Sequence, residues 1–388
     1  MISDTVPFAT AVASMPGVPE AVKAAADAAD DVDRKSRFPS EAIGLVKEAK
    51  LLSCSLPVAL GGREAAISEL AVIARALGGA CSSAGMVFAM HHAQALSLAH
   101  HASSGPNSHV TAKIAADEAL LASATTELTT GGDVRSSTCA VISDGDRIVL
   151  EKNAPVISYA EYADYICTTA RRGPDSPPND QVLVVCPIGE TVLEMTKPWD
   201  VLGFRGTCSP GYILKTRTSA DNVVAVEFAK ISETTQLPVS HTLWSSVWLG
   251  IADAAVHKAR KATRDAVRKG GSQGVPQAAK LADLIVKHQS LEAVVMREVN
   301  RYESFLNSDH SEPTVGFAIA MNNLKLASST AVVDIVTGAL QLIGINGYRE
   351  DHPLSMGRLL RDSFAPQLMV SNDRIRANNS QLVLMHRG

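Results

Sequence analysis

The feature that most restricts this chain is a hydrophobic periodicity that changes twice along its length. From about Pro19 to Ala116 apolar residues recur at helical spacing, with Val22, Ala25, Ala29 and Val32 on one face. Ser40, after Pro39, offers an N-cap for a helix over 41–51, the stretch Pro57 to Arg63 with Gly61-Gly62 reads as a loop, and another helix is predicted over 65–77. Between about Leu120 and Phe228 the pattern becomes extended. Short runs at 147–150, 182–186 and 222–228 predict strands, and RRGPDSPPND, Arg171 to Asp180, has the composition of a hairpin loop. From Leu243 long helices return. Leu281, Leu284, Ile285, Leu291, Val294, Val295, Val299, Tyr302 and Phe305 keep the spacing of a bundle helix. The expected fold is mainly α with a central β domain. Its parts are a helical domain over 1–118, a β domain over 119–230 and a helical bundle over 231–388.

Composition narrows the classes of partner. The 388 residues carry 36 Lys+Arg against 40 Asp+Glu, a net charge of −4, which argues against nucleic acid because phosphate binding needs clustered cations. Aromatics make up only 4%, so small aliphatic residues must do the packing. Six cysteines without a CxxC indicate neither a zinc site nor a disulfide framework, and read as the reduced thiols of a cytoplasmic protein. No Lys or Arg precedes the first apolar residues, so the N-terminus makes a poor signal peptide. No run approaches the roughly 18 uninterrupted apolar residues of a membrane span.

Five motifs, in order, then resemble one family. Phe38-Pro39-Ser40-Glu41 through Pro57-Val58-Ala59-Leu60-Gly61-Gly62 resembles the N-terminal helix and "P-x-x-x-G-G" loop of the acyl-CoA dehydrogenases. Thr126 to Asp133, TELTTGGD, resembles their "TEPGAGSD" segment, and Leu202 to Thr207, LGFRGT, their "LGxRGT". Gly338 to Tyr348 resembles "ALQxxGGxGY", and Pro353 to Asp362 resembles "PLxRxxRD". The resemblance implies helical N-terminal, β-barrel-like middle and four-helix-bundle C-terminal domains. It also implies FAD as cofactor, with Thr126, Gly131 and Gly132 at the polar edge of the flavin ring. Ser158 stands where the family's "W-I-T" strand has Thr. Gln341, Gly344 and Gly347 would reach the cofactor of a neighbouring subunit at a helix end, and Arg268 would contact phosphate. The simpler roles of these residues are an ordinary turn, a glycine helix stop and an exposed Arg.

The chain also departs from the family. The family's chemistry removes a proton beside a thioester while hydride passes to flavin, and it requires a carboxylate in a dry pocket. In the usual subgroup that Glu follows the "RD" motif in an "EGT" triplet. Counting from Arg361-Asp362 places Val370 there, then Ser371-Asn372. A second subgroup carries the Glu early in the first C-terminal helix, where the best match is Ser240-His241. Neither position holds a carboxylate. The family's Trp beside the flavin becomes Val156, its "GSD" serine becomes Gly132, and its "R-x-x-F-G" is reduced to Arg268-Lys269-Gly270-Gly271. The remaining candidates for a base are Asp373, whose simpler role is capping or pairing with Arg374 or Arg376, and His92. The simpler reading of His91-His92 is one core histidine and one facing solvent. The two are not a metal pair, because adjacent helical residues point about 100° apart.

Three functions follow. The default is a flavin-dependent, acyl-CoA dehydrogenase-like desaturation of an acyl thioester with an atypical or absent base. The alternative is a monooxygenase or N-hydroxylase of the same fold using reduced flavin and oxygen, and the third is an inactive paralogue. FAD would be bound loosely or supplied reduced by a reductase, so an electron-transfer partner or flavin reductase is implied. Apolar residues on several faces of the last helices, among them Ile319, Met321, Leu324, Leu326, Val332, Val333 and Ile335, suggest a homotetramer or homodimer.

Overall fold

The structure, a computed structural model, describes residues 8–129, 134–268, 274–308 and 312–386. Six helices open the chain: α1 (Phe8–Ser14), α2 (Val18–Lys35), α3 (Ser40–Glu48), α4 (Ile67–Ala80), α5 (Ser82–His101) and α6 (Ser108–Ala116). Seven strands follow: β1 (Leu121–Ala124), β2 (Ile142–Asp144), β3 (Arg147–Ala154), β4 (Tyr165–Arg171), β5 (Gln181–Pro187), β6 (Thr191–Lys197) and β7 (Gly211–Ser219). Helices resume with α7 (Phe228–Ile231), α8 (Leu237–Arg268), α9 (Gly274–Leu306), α10 (Val315–Ile343), α11 (Ile345–Tyr348), α12 (Gly357–Leu368) and α13 (Asn372–Met385). The chain is mainly helical with a central β region, as the periodicity predicts.

The strands form two sheets, ordered β1-β4-β5 and β2-β3-β7-β6. β1 runs parallel to β4, with Ala122 opposite Ile166, and β4 and β5 form the hairpin expected around Arg171 to Asp180, with Arg171 opposite Gln181. Two local expectations fail. Residues 222–228 form no strand beyond a bridge from Val223 to Val184, because the Asn107 amide takes the carbonyls of Asp221 and Val223. Ser40 is not an N-cap. Its amide bonds the Phe38 carbonyl at 2.9 Å, which draws Ser40 into the first turn of α3.

One hydrophobic core runs from α2 through α5 and the sheets into the bundle. Helix α5 is buried on nearly every side, as a helix at the centre of a core should be. Helices α4 and α8 cross closely because Gly250 lies against the Arg75 carbonyl, where any Cβ would collide. At that crossing Arg75 holds Asp253 at 2.6 Å and Glu292 at 2.7 Å, while His288 reaches Asp253 at 2.6 Å. Helix α10 is long and apolar enough to cross a membrane by length and composition, with 44% of its most apolar stretch buried. It packs against α8, α9 and α12.

The three parts meet at one ionic pin. Arg361 clasps Asp33 of α2 with two bonds of 2.8 and 2.6 Å, and its neighbour Asp362 accepts the Phe204 amide of the β region at 2.6 Å. Gly203 permits this approach, because a Cβ there would strike the Arg361 carbonyl. Phe204 itself sits at φ 51°, a left-handed conformation uncommon for a bulky residue, so the loop needs external support. Asp362→Ala is expected to leave the Phe204 amide unsatisfied and cost about 1–3 kcal/mol. Asp362→Asn, which keeps an acceptor, should cost less; the urea midpoints of the two variants check this.

Candidate functional site

A cavity of about 590 Å³ lies where α5, the β region, the start of α8 and the end of α12 converge, a size usual for small-molecule and cofactor sites. One wall is lined with hydroxyls: Ser123, Thr125, Thr126, Ser158, Thr207 and Ser209. The facing walls are apolar and include Met86, Met90, Phe228, Leu237, Phe364 and Leu368, with Trp199 and Trp244.

The hydroxyl wall is organised for a ligand. Thr207 Oγ1 donates to the Phe204 carbonyl at 2.9 Å, and Ser209 Oγ donates to Ser158 Oγ at 2.9 Å. Ser158 therefore accepts, and its own proton is left to bond into the cavity. Gln94, Gln236 and Trp244 also line the space, and Gln94 Oε1, Gln236 Oε1 and Trp244 Nε1 are buried without a partner among the described residues. Unpaired buried polar atoms are costly, so these atoms fit a polar ligand such as a flavin ring with donors and acceptors at its edge. Gln236 belongs to a π-helical turn, Ser232–Gln236, that joins α7 to α8; such turns recur at functional sites.

Thr126 is placed by the residue after it. Glu127 is buried at 3% exposure and accepts Lys152 Nζ at 3.1 Å, the Thr138 amide at 2.8 Å and the Ser137 hydroxyl. Lys152 is itself held by the Thr169 carbonyl at 2.6 Å. Burial raises the Glu127 carboxyl, but the Lys152 ammonium and the hydroxyl and amide bonds outweigh it and hold the group at about 2.

The structure brings Thr126 and Ser158 together at the cavity. Gly131 and Gly132 lie outside the described residues. Arg268 is exposed at the end of α8, and Gln341 and Gly344 are exposed at the end of α10, where Gly344 with φ 71° stops the helix. Gly347 is buried just beyond, and none of these four lines the cavity. Val370 does line it, in a turn with φ 44°, strained for a β-branched residue. The Val370 carbonyl accepts Lys325 Nζ at 3.0 Å.

The two candidate bases, His92 and Asp373, do not line the cavity. His92 is fully buried and points away from the cavity, with Nε2 at 3.0 Å from the Leu51 carbonyl and Nδ1 at 3.0 Å from Ser55 Oγ. His91 is equally buried, between the Leu52 carbonyl and the Leu121 amide, so neither histidine faces solvent. Asp373 is exposed and pairs with Arg376 at 3.0 Å. Sequence reasoning passed over Gln94, Trp199, Gln236 and Trp244, since nothing in their spacing shows which helix face meets the cavity.

A consequence of the Glu127 pair is testable. Because the folded carboxyl titrates below its ordinary 4.5, the pair stabilises the protein fully above that pH, and the contribution is lost as pH falls toward about 2. Glu127→Gln should lower the urea midpoint at neutral pH, by leaving Lys152 unpaired, and flatten its decline through this acid window.

Comparison with known proteins agrees with this geometry. Residues 20–118 match the acyl-CoA dehydrogenase N-terminal domain and residues 232–370 its C-terminal domain. The chain is 25% identical over 352 residues to cyclohex-1-ene-1-carbonyl-CoA dehydrogenase of Geobacter metallireducens, covering 89% of this chain and 90% of the relative. It is 24% identical over 360 residues to a probable acyl-CoA dehydrogenase of Mycobacterium leprae, covering 92% and 90%. The fold is also that of TdsC from Paenibacillus sp. A11-2, solved with FMN bound, with a TM-score of 0.82 at 15% identity over 96% of this chain and 98% of that one. With both terminal domains matched in order around the strand region, and relatives that align along nearly its full length, the chain belongs to the acyl-CoA dehydrogenase family.

Proposed function

We propose that this chain is a flavin-dependent oxidoreductase that desaturates an acyl-CoA thioester between its α and β carbons. The observation that carries the reading is the cavity itself, whose hydroxyl wall from the β region faces an apolar wall from α8 and α12. Relatives named as acyl-CoA dehydrogenases support a thioester as substrate. FAD, when bound, supplies the hydride acceptor. Ser158 and Thr126 orient the polar edge of the ring with hydroxyl bonds, and Phe228, Leu237 and Phe364 exclude water from the acyl chain. Gly131 and Gly132 complete the flavin edge in this reading.

Gln341, Gly344 and Gly347 serve the cofactor of a second copy, within a cytoplasmic homotetramer or homodimer, and Arg268 contacts phosphate. The exposure of Gln341, Gly344 and Arg268, with Ile345 at 70% and Tyr348 at 76%, supports that arrangement. An electron-transfer partner reoxidises the flavin.

A second reading has one observation in its favour. Among the described residues that line the cavity there is no carboxylate. A monooxygenase needs none for α-proton removal, and TdsC is a dibenzothiophene monooxygenase of the same fold. In that case a partner reductase supplies reduced flavin.

Protein reconstituted with FAD is expected to absorb near about 450 nm and to bleach anaerobically on addition of octanoyl-CoA. Absence of bleaching with dioxygen uptake on reduced FMN would turn the assignment to the monooxygenase. Failure of both FAD and FMN to bind would overturn both readings.

A further inference from the structure

The two positions from which this family draws its base lie on one cavity, at Val370 and at the start of α8. Val370 has no proton-accepting atom, and Ser240 occupies the second position. Next to Ser240, His241 also lines the cavity and is 2% exposed. Its Nδ1 lies 3.0 Å from the Met321 carbonyl. A carbonyl only accepts, so Nδ1 carries the proton and Nε2 keeps its lone pair.

Elimination points to the same atom. Among the described residues lining the cavity, His241 and Arg361 are the only ionisable side chains. The guanidinium of Arg361 is always protonated and is spent on Asp33. Lys325, behind the Val370 turn, is committed to the Val370 carbonyl and to Asn372 Oδ1 at 2.6 Å.

We propose that His241 takes the α-proton of the thioester, an assignment that rests on the desaturation reading above. The α-C–H bond breaks and its proton passes to Nε2. The bonding pair becomes the new carbon–carbon π bond as the β-carbon surrenders hydride to the oxidised flavin. Burial pushes the imidazolium down to about 4, so the ring is neutral at pH 7 and its cation must be supported when it accepts the proton. The Met321 carbonyl fixes the tautomer and steadies the cation once it forms, as a carboxylate does beside a catalytic imidazole elsewhere.

The test uses FAD-loaded protein in D2O with butyryl-CoA and octanoyl-CoA, following α-deuterium uptake by mass spectrometry alongside anaerobic bleaching. His241→Gln is expected to retain flavin absorbance and octanoyl-CoA binding while losing α-exchange by about a hundredfold or more. His241→Ala should behave likewise, and free imidazole should restore its exchange in proportion to concentration, which a packing defect would not allow. His241→Ala with Val370→Glu should regain exchange without imidazole. Exchange in His241→Gln within about threefold of the unsubstituted enzyme would overturn the role of His241 alone. Absence of exchange and of bleaching in the unsubstituted enzyme with both thioesters would overturn the desaturation reading and this assignment together.

Discussion

The architecture depends on the contact that Arg361 and Asp362 make with two other parts of the chain at once. Arg361 binds α2 through Asp33, and Asp362 fixes the backbone of Phe204 in the β region. Both acids are buried, at 7% and 3% exposure, so each needs its partner to remain in the interior. Burial raises the Asp362 carboxyl, and the charge of Arg358 and the Phe204 amide offset only part of that rise. The cavity is bounded on two sides by residues carried on this junction, Leu202 to Phe204 and Phe364 to Val370. A pocket built between three parts of the chain is only as well shaped as the tie between them.

Two buried polar systems then set the chemistry of that pocket. On the β side, Glu127 and Lys152 neutralise one another beneath Thr126, and Ser158, accepting from Ser209, keeps its own hydroxyl proton for the cavity. On the helical side a strained turn at Val370 is held by Lys325, and α8 presents His241. The pocket is otherwise apolar, so any proton transfer in it falls to very few atoms.

Much of the fold was legible because periodicity reports burial directly. The apolar positions from Leu281 to Phe305 are those that α9 packs inward, and the composition of Arg171 to Asp180 marked its hairpin. The run 222–228 misled because the carbonyls of Val223 and of Asp221 just before it are taken by a side chain, Asn107, that lies more than a hundred residues earlier in the chain. The site was less legible. Ser158 and Thr126 could be matched through motifs, whereas His92 and His241 could not be separated. Helix α5 is buried on nearly all sides, so no apolar stripe distinguishes the face of Met90 and Gln94, which meets the cavity, from that of His91 and His92, which meets α3 and its loop.

By itself the sequence determined the order of helical, extended and helical segments, the family motifs and the absence of a carboxylate at Val370 and Ser240, since each is carried by local spacing and side-chain type. Only the tertiary structure decided which titratable group faces the cavity. Neighbouring residues on a helix point about 100° apart, and which of them looks inward is set by the elements packed around it. For His92 those elements supply a carbonyl and a hydroxyl that close off both ring nitrogens. For His241 a single carbonyl from α10 engages one nitrogen and leaves the other with its lone pair.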